Sequence, residues 1–124
     1  MSSYTADSLS WHPVAIFAGA GITKIGALFT YQANWKAPGR WAVEILTNKH
    51  RLYLKPLESL QIQKIGSVEI ESVVFDNQID KDFKPGLFKQ TECFVNNCYE
   101  NLVGIQEHEE NCKFYERILF PELL

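Results

Sequence analysis

Cysteine is scarce in this chain, and its pattern is unpaired. Cys93, Cys98 and Cys112 are odd in number and include no C-x-x-C, which argues against a secreted disulfide framework. A C-x4-C pair with one distant thiol, and no H-x3-H, is poor zinc spacing. Charge of one sign is also lacking. Twelve Lys and Arg against 15 Asp and Glu leave a net charge of −3, so there is no electrostatic footprint for nucleic acid or an anionic membrane. No apolar run approaches the ~20 residues a spanning helix needs. The opening MSSYTADSLS has neither the basic region nor the apolar core of a signal peptide, and the expectation is a cytoplasmic protein. Neither a paired-carboxylate nor a nucleophile–base constellation is readable, so a complete small enzyme is not the expectation.

What the chain does have is alternation. Its 124 residues, 46% hydrophobic and 22% charged, fit one soluble α+β domain over 1–124. From Ile25 to Phe75, four or five strand-length segments alternate apolar and polar residues between turns. Ile25, Ala27, Phe29, Tyr31, Ala33 and Trp35 share one side of a pleat. Trp41, Val43 and Ile45 do so on the next segment, and Val68, Ile70 and Val74 on the last. This period predicts an open, mostly antiparallel sheet with one greasy and one mixed face. The aromatics, 8 Phe, 5 Tyr and 3 Trp, supply burial area.

Flanking segments read as helices suited to cover the greasy face. Asp7, Ser8 and Ser10 are N-cap candidates for a short helix over roughly 11–20, with Pro13 in its first turn and Gly19 and Gly21 at its end. The same stretch imitates a dinucleotide fingerprint, strand then G-x-G. The third small residue would fall on Lys24, and an alternating strand follows where a helix belongs, so a nucleotide site is not the reading. KAPG at 36–39 and KPLE at 55–58 are turns. TNKHR at 47–51 puts His50 at a solvated hairpin tip, and residues 76–86 read as a loop. Leu87, Phe88, Thr91, Phe94, Val95, Cys98, Tyr99 and Leu102 form the stripe of one amphipathic helix, broken by Gly104. A second helix spans 107–119, with Cys112, Phe114, Tyr115, Ile118 and Leu119 on its apolar side. Its acidic start at Glu107, Glu109 and Glu110 suits the helix dipole and is read as solvated, not as a metal site.

Three strings carry a resemblance: SLSWHPVAIF, ANWKAPGRWAVEILTNKHRLYLKPLESLQ, and FKPGLFKQTECFVNN…GIQEHEENCKFYERI. In order and spacing the chain resembles the C-terminal half of the glucose–fructose oxidoreductase, inositol dehydrogenase and MocA family, over about residues 7–119. The resemblance implies an open antiparallel sheet with helices on one face, of the kind found in the C-terminal domains of dihydrodipicolinate reductase and glyceraldehyde-3-phosphate dehydrogenase. It implies a substrate-binding and oligomerisation domain of an NAD(P)-dependent sugar or polyol oxidoreductase. Complete members place a Rossmann domain first, with a glycine fingerprint and a lysine motif, and neither is present here. NAD or NADP would therefore be held by a Rossmann domain supplied in cis or in trans, and this domain alone would bind no cofactor.

The family's D-x-x-x-H helix motif sets a histidine beside the carbon that gives up hydride, and His12 falls in that position. The aspartate would be residue 8, which is Ser8, with Asp7 one step away. The imidazole would take a hydroxyl proton as hydride leaves; a histidine hydrogen-bonded locally at a helix start is the bland alternative. Trp35 and Arg40, flanking the Pro-Gly turn, are candidate substrate contacts, or else a packed indole and a solvated guanidinium. The partners expected are a second copy through the sheet face and a sugar- or polyol-like small molecule, with no nucleic acid and no membrane. The competing expectation is a free-standing interaction module whose sheet face forms a homodimer or binds another protein.

Overall fold

A computed structural model describes residues 1–120. In chain order the strands are β1 (Ser2–Ala6), β2 (Ile16–Ile22), β3 (Leu28–Asn34), β4 (Val43–Leu46), β5 (His50–Leu54), β6 (Leu60–Lys64) and β7 (Ile70–Val73). The helices are α1 (Gln78–Asp82), α2 (Leu87–Val95) and α3 (Ile105–Leu119), with a 3-10 turn at Tyr99–Asn101. All strand pairs are antiparallel, in keeping with the expected α+β class. The ribbon expected over residues 25–75 is nevertheless two sheets, β1-β2-β3 and β4-β5-β6-β7. They belong to two compact units, one joining Met1–Pro38 to the chain from Val103 and the other spanning Gly39–Leu102.

The first unit corrects the helix expected over 11–20. Leu9 and His12 close a tight turn by backbone pairing, and the chain then enters β2 as the central strand of its sheet. Short-range helix signals lost to cross-strand pairing on both sides, because glycine costs about 1 kcal/mol in a helix interior and so offsets the preference of the interleaved alanines. Gly19 and Gly21 end no helix. They lie opposite Tyr31 and Phe29, and the rings lie over the places where their side chains would be. The Ser3 hydroxyl bonds the Tyr31 hydroxyl, tying β1 to β3 across that glycine. Beyond β2, Gly26 adopts φ 86° and Thr23 Oγ1 accepts from the Ala27 N–H, closing the hairpin into β3. The N-cap candidates have no helix to cap. Asp7 takes φ 58° and accepts from the Ser8 N–H. Helix α3 packs against β1 and β2 and half-buries Asn111, Cys112, Ile118 and Leu119, while Phe114 and Tyr115 stay exposed.

In the second unit the register sorts most side chains by face, with Glu71 on the apolar side and Leu46 and Ile70 on the polar one. Directly opposed residues share a face, so Val43, Ile45, Leu52, Leu54, Leu60, Ile62 and Val73 line one side of the sheet. Glu44, Arg51, Tyr53, Gln61, Gln63 and Ser72 line the other. The polar side is cross-linked. Arg51 bonds Glu44 and lies 5.4 Å over the Tyr53 ring, Tyr53 donates to Gln63, and Gln63 donates to the Ser67 carbonyl. Ile70 departs from expectation, since it pairs with Gln63 on the polar side while Val73 takes the apolar one.

The helical part also differs in detail. The loop expected over 76–86 contains α1. The helix expected over 87–102 stops at Val95, because Asn97 takes φ 58° and turns the chain into the 3-10 segment. Asn tolerates this left-handed state better than most residues. Edge-to-face contact of Phe94 with Tyr99 and close packing of Phe83 with Phe88 fix the two ends of α2.

Candidate functional site

The turn at residues 7–15 and the end of β3 assemble an aromatic corner in the first unit. Trp11 stands edge-on to Trp35, with ring centres 6.1 Å apart, and contacts His12 at 5.7 Å; His12 in turn lies 6.4 Å from Phe17. Two candidates 23 positions apart, His12 and Trp35, thus share one cluster, with Trp11 between them. The indoles are 69% and 61% exposed, so both present apolar surface to solvent. At the end of the turn Ala15 is fully buried. Its N–H is shared between the Ala6 and Asp7 carbonyls and its carbonyl accepts from the Trp35 N–H.

His12 is half-buried and its Nδ1 is locally engaged. The atom lies 3.1 Å from the Val14 N–H donor and 2.8 Å from the Val14 carbonyl. An unprotonated Nδ1 accepts from that N–H, and a protonated one donates to that carbonyl. In either state Nε2 is the ring atom left for exchanging a proton with a ligand. Asp7 does not orient the ring. One of its carboxylate oxygens accepts from the Ser8 N–H, and the other accepts from Lys36 Nζ at 2.6 Å. The bond from Lys36, followed by that from Ser8, holds the Asp7 carboxyl below the usual carboxylate range.

Arg40 lies in the second unit, exposed, with its guanidinium 4.0 Å from Glu58. His50 is exposed at the start of β5. A shallow depression of 260 Å³ runs between the β4–β5 and β6–β7 turns, lined by Lys49, His50, Arg51, Lys64 and Ser67 among others. Two of its cations are already matched, Arg51 by Glu44 and Lys64 by Glu71. Among the described residues no three His, Cys, Asp or Glu converge as a metal site, and no helix is long and apolar enough to cross a membrane. Sequence reasoning missed Trp11 and the pairing of Asp7 with Lys36, having named Asp7 only as an N-cap candidate and as one step from the motif aspartate. A signal was available in Trp11 directly beside His12, but nothing local connects Asp7 with Lys36 across 29 positions.

No family model, curated protein or solved structure matches the chain.

Proposed function

We propose that this chain is an association module whose fold is completed by a partner polypeptide. One observation carries the reading. Among the described residues Ala15 alone is fully buried, while apolar side chains on both sheets and on α2 and α3 remain open to solvent. Ordering a residue costs about 1–2 kcal/mol of backbone entropy, and apolar burial at about 25 cal/mol per Å² is the main term that offsets it. Sheets that bury so little rely on further cover. If a second copy supplies it, stability follows mass action. The melting temperature of the purified chain is then expected to rise by several degrees between micromolar and near-millimolar concentration. A melting temperature constant over that range, at monomeric mass, would end the proposal.

A second reading is favoured by the contact of Trp11 with both His12 and Trp35. In it the module is the substrate-binding and oligomerisation half of an NAD(P)-dependent sugar or polyol oxidoreductase, its sheet of the dihydrodipicolinate-reductase C-terminal kind. The indoles would stack on the ligand's carbon face and His12 Nε2 would take its hydroxyl proton. The nucleotide, held by a Rossmann domain in cis or in trans, would supply the hydride acceptor. Mixing the chain with a separately expressed Rossmann domain is expected to give NAD(P)-linked turnover that His12→Ala lowers at least 100-fold in kcat, within the range of general-base effects. Turnover unchanged by that substitution removes His12 from the chemistry.

A further inference from the structure

Helix α2 ends in a way that brings two cysteines together. Asn97 takes φ 58°. Its N–H donates to the Phe94 carbonyl at 3.3 Å, and the Cys98 N–H donates to the Cys93 carbonyl at 2.8 Å. This nested pair of bonds around one left-handed residue is the Schellman helix end. The motif commonly sets the side chains of the two residues in its outer bond against each other, and here those residues are Cys93 and Cys98. With planar peptides and standard bond lengths, an N–H···O bond of this length holds the two Cα atoms within about 6 Å. A disulfide spans Cα separations of roughly 4.4–6.8 Å. Closing one therefore needs side-chain rotation and no movement of the helix. The Cys98 thiol donates to the Asn96 carbonyl at 3.8 Å, a weak bond that such a rotation gives up at little cost. Both thiols are free and half-buried, so a small oxidant can reach them.

We propose that Cys93 and Cys98 form a reversible dithiol–disulfide switch at the end of α2, with a low-molecular-weight disulfide such as glutathione disulfide as its oxidant. Two exchanges complete the step. The thiolate of one cysteine attacks a sulfur of the reagent, breaks its S–S bond and releases one glutathione thiolate. The second cysteine gives its proton to solvent, attacks the mixed disulfide and expels the other glutathione thiolate. The pair has then lost two electrons and two protons, and the reagent has been reduced to two thiols. The switch needs no second chain and stands apart from the association reading. The loop it closes is short, Cys93 to Cys98, so the bridge gains little from restricting the unfolded chain. A partly exposed bridge of that kind belongs with the labile, regulatory disulfides. Its effect is local. Asn97 lies inside the loop, and the 3-10 turn Tyr99–Asn101 follows it, with Tyr99 edge-on to Phe94. Oxidation fixes this exit from α2, and reduction leaves it free to fray as helix ends do. Cys112, on α3 in the other unit, is the thiol left over.

The test uses the full chain in buffers of reduced and oxidised glutathione. After free thiols are alkylated, cleavage following Glu92 and Glu100 isolates Cys93 and Cys98 on one peptide, apart from Cys112. Across the titration that peptide is expected to lose two hydrogens while Cys112 stays open to alkylation. The chain is expected to remain at 14.2 kDa on a denaturing, non-reducing gel. The effective concentration of the pair should fall at least tenfold in denaturant, where the helix end is gone. Asn97→Val, which disfavours the left-handed state, should lower it at least threefold, and Asn97→Gly should keep it. Cys98→Ser should stop at a glutathione adduct on Cys93. In the oxidised wild type, hydrogen exchange at the Cys98 amide should slow at least tenfold. Should Asn97→Val fail to fold, the comparison of folded with denatured wild type decides alone. Equal effective concentrations in those two states overturn the proposal. So does oxidation that links two chains or engages Cys112 first.

Discussion

Gly19→Ala is expected to be among the most damaging single-methyl additions in the first unit. The added Cβ would lie 2.4 Å from the Tyr31 ring and hydroxyl and 2.5 Å from the Ser2 carbonyl oxygen. All three contacts are far inside van der Waals distance, and one is with backbone that cannot step aside. Alanine gains roughly 0.5–1 kcal/mol over glycine in a strand through lower unfolded-state entropy. Overpacking costs about 1–3 kcal/mol even where side chains can shift, and here the Ser3–Tyr31 hydrogen bond would be displaced as well. The overlap therefore wins, and a net loss of about 3 kcal/mol is expected by denaturant titration. Gly21→Ala meets only the Phe29 ring within 3 Å, the nearest backbone atom being 3.5 Å away. Its loss should be smaller, about half as large, because the ring can move. Adding Tyr31→Ala to Gly19→Ala should recover roughly 1–2 kcal/mol relative to additivity, as expected of groups in direct contact. Strict additivity, or Gly21→Ala outranking Gly19→Ala, would show that the rings do not sit on these glycines.

These two glycines also mark where the sequence was legible and where it was not. Alternation correctly placed Phe29, Tyr31 and Ala33 on one side of β3, and Val43 with Ile45 on one side of β4. It did so because in both strands the apolar residues keep one parity except at one end, Leu28 in β3 and Leu46 in β4. In VEIESVVF aliphatic residues occupy both parities, so the pattern alone had no basis for choosing Val73 over Ile70 as the apolar-face residue. The helix expected over 11–20 followed from a proline, small residues and terminal glycines, all local signals. What overrode them is non-local: glycines at 19 and 21 stand two apart, aromatics at 29 and 31 stand two apart, and the hairpin at 23–27 lays one pair on the other. The break in the helix expected over 87–102 had a cue in Asn96-Asn97, since Asn is one of the few residues at ease with positive φ. The aromatic corner was half legible. His12 and Trp35 were singled out, but the geometry that joins them passes through Trp11 and a turn that only the folded chain defines.

Ala15→Leu should have the other large effect, reaching the corner without touching any of its rings in sequence. Ala15 is completely enclosed, and its backbone joins three strand ends: the exits of β1 and β3 and the entry of β2. Leucine adds three carbon atoms where a methyl group already has no exposure. The added volume must come from moving the 7–14 turn, since the sheet is held by paired strands on both sides of β2. A loss of about 3 kcal/mol is expected, near the upper end of core overpacking. Ala15→Gly, which removes one methyl and adds unfolded-state freedom, should cost about 1–2 kcal/mol. The readout that separates a shifted turn from general destabilisation is the near-ultraviolet circular dichroism of the edge-on Trp11–Trp35 pair. Under strongly native conditions the leucine variant should lose most of that signal while keeping its far-ultraviolet spectrum, and the glycine variant should keep both. An unchanged indole signal in Ala15→Leu would mean that the turn and its tryptophans are not anchored on this residue, and the cluster that brings His12 to Trp35 would lose its foundation.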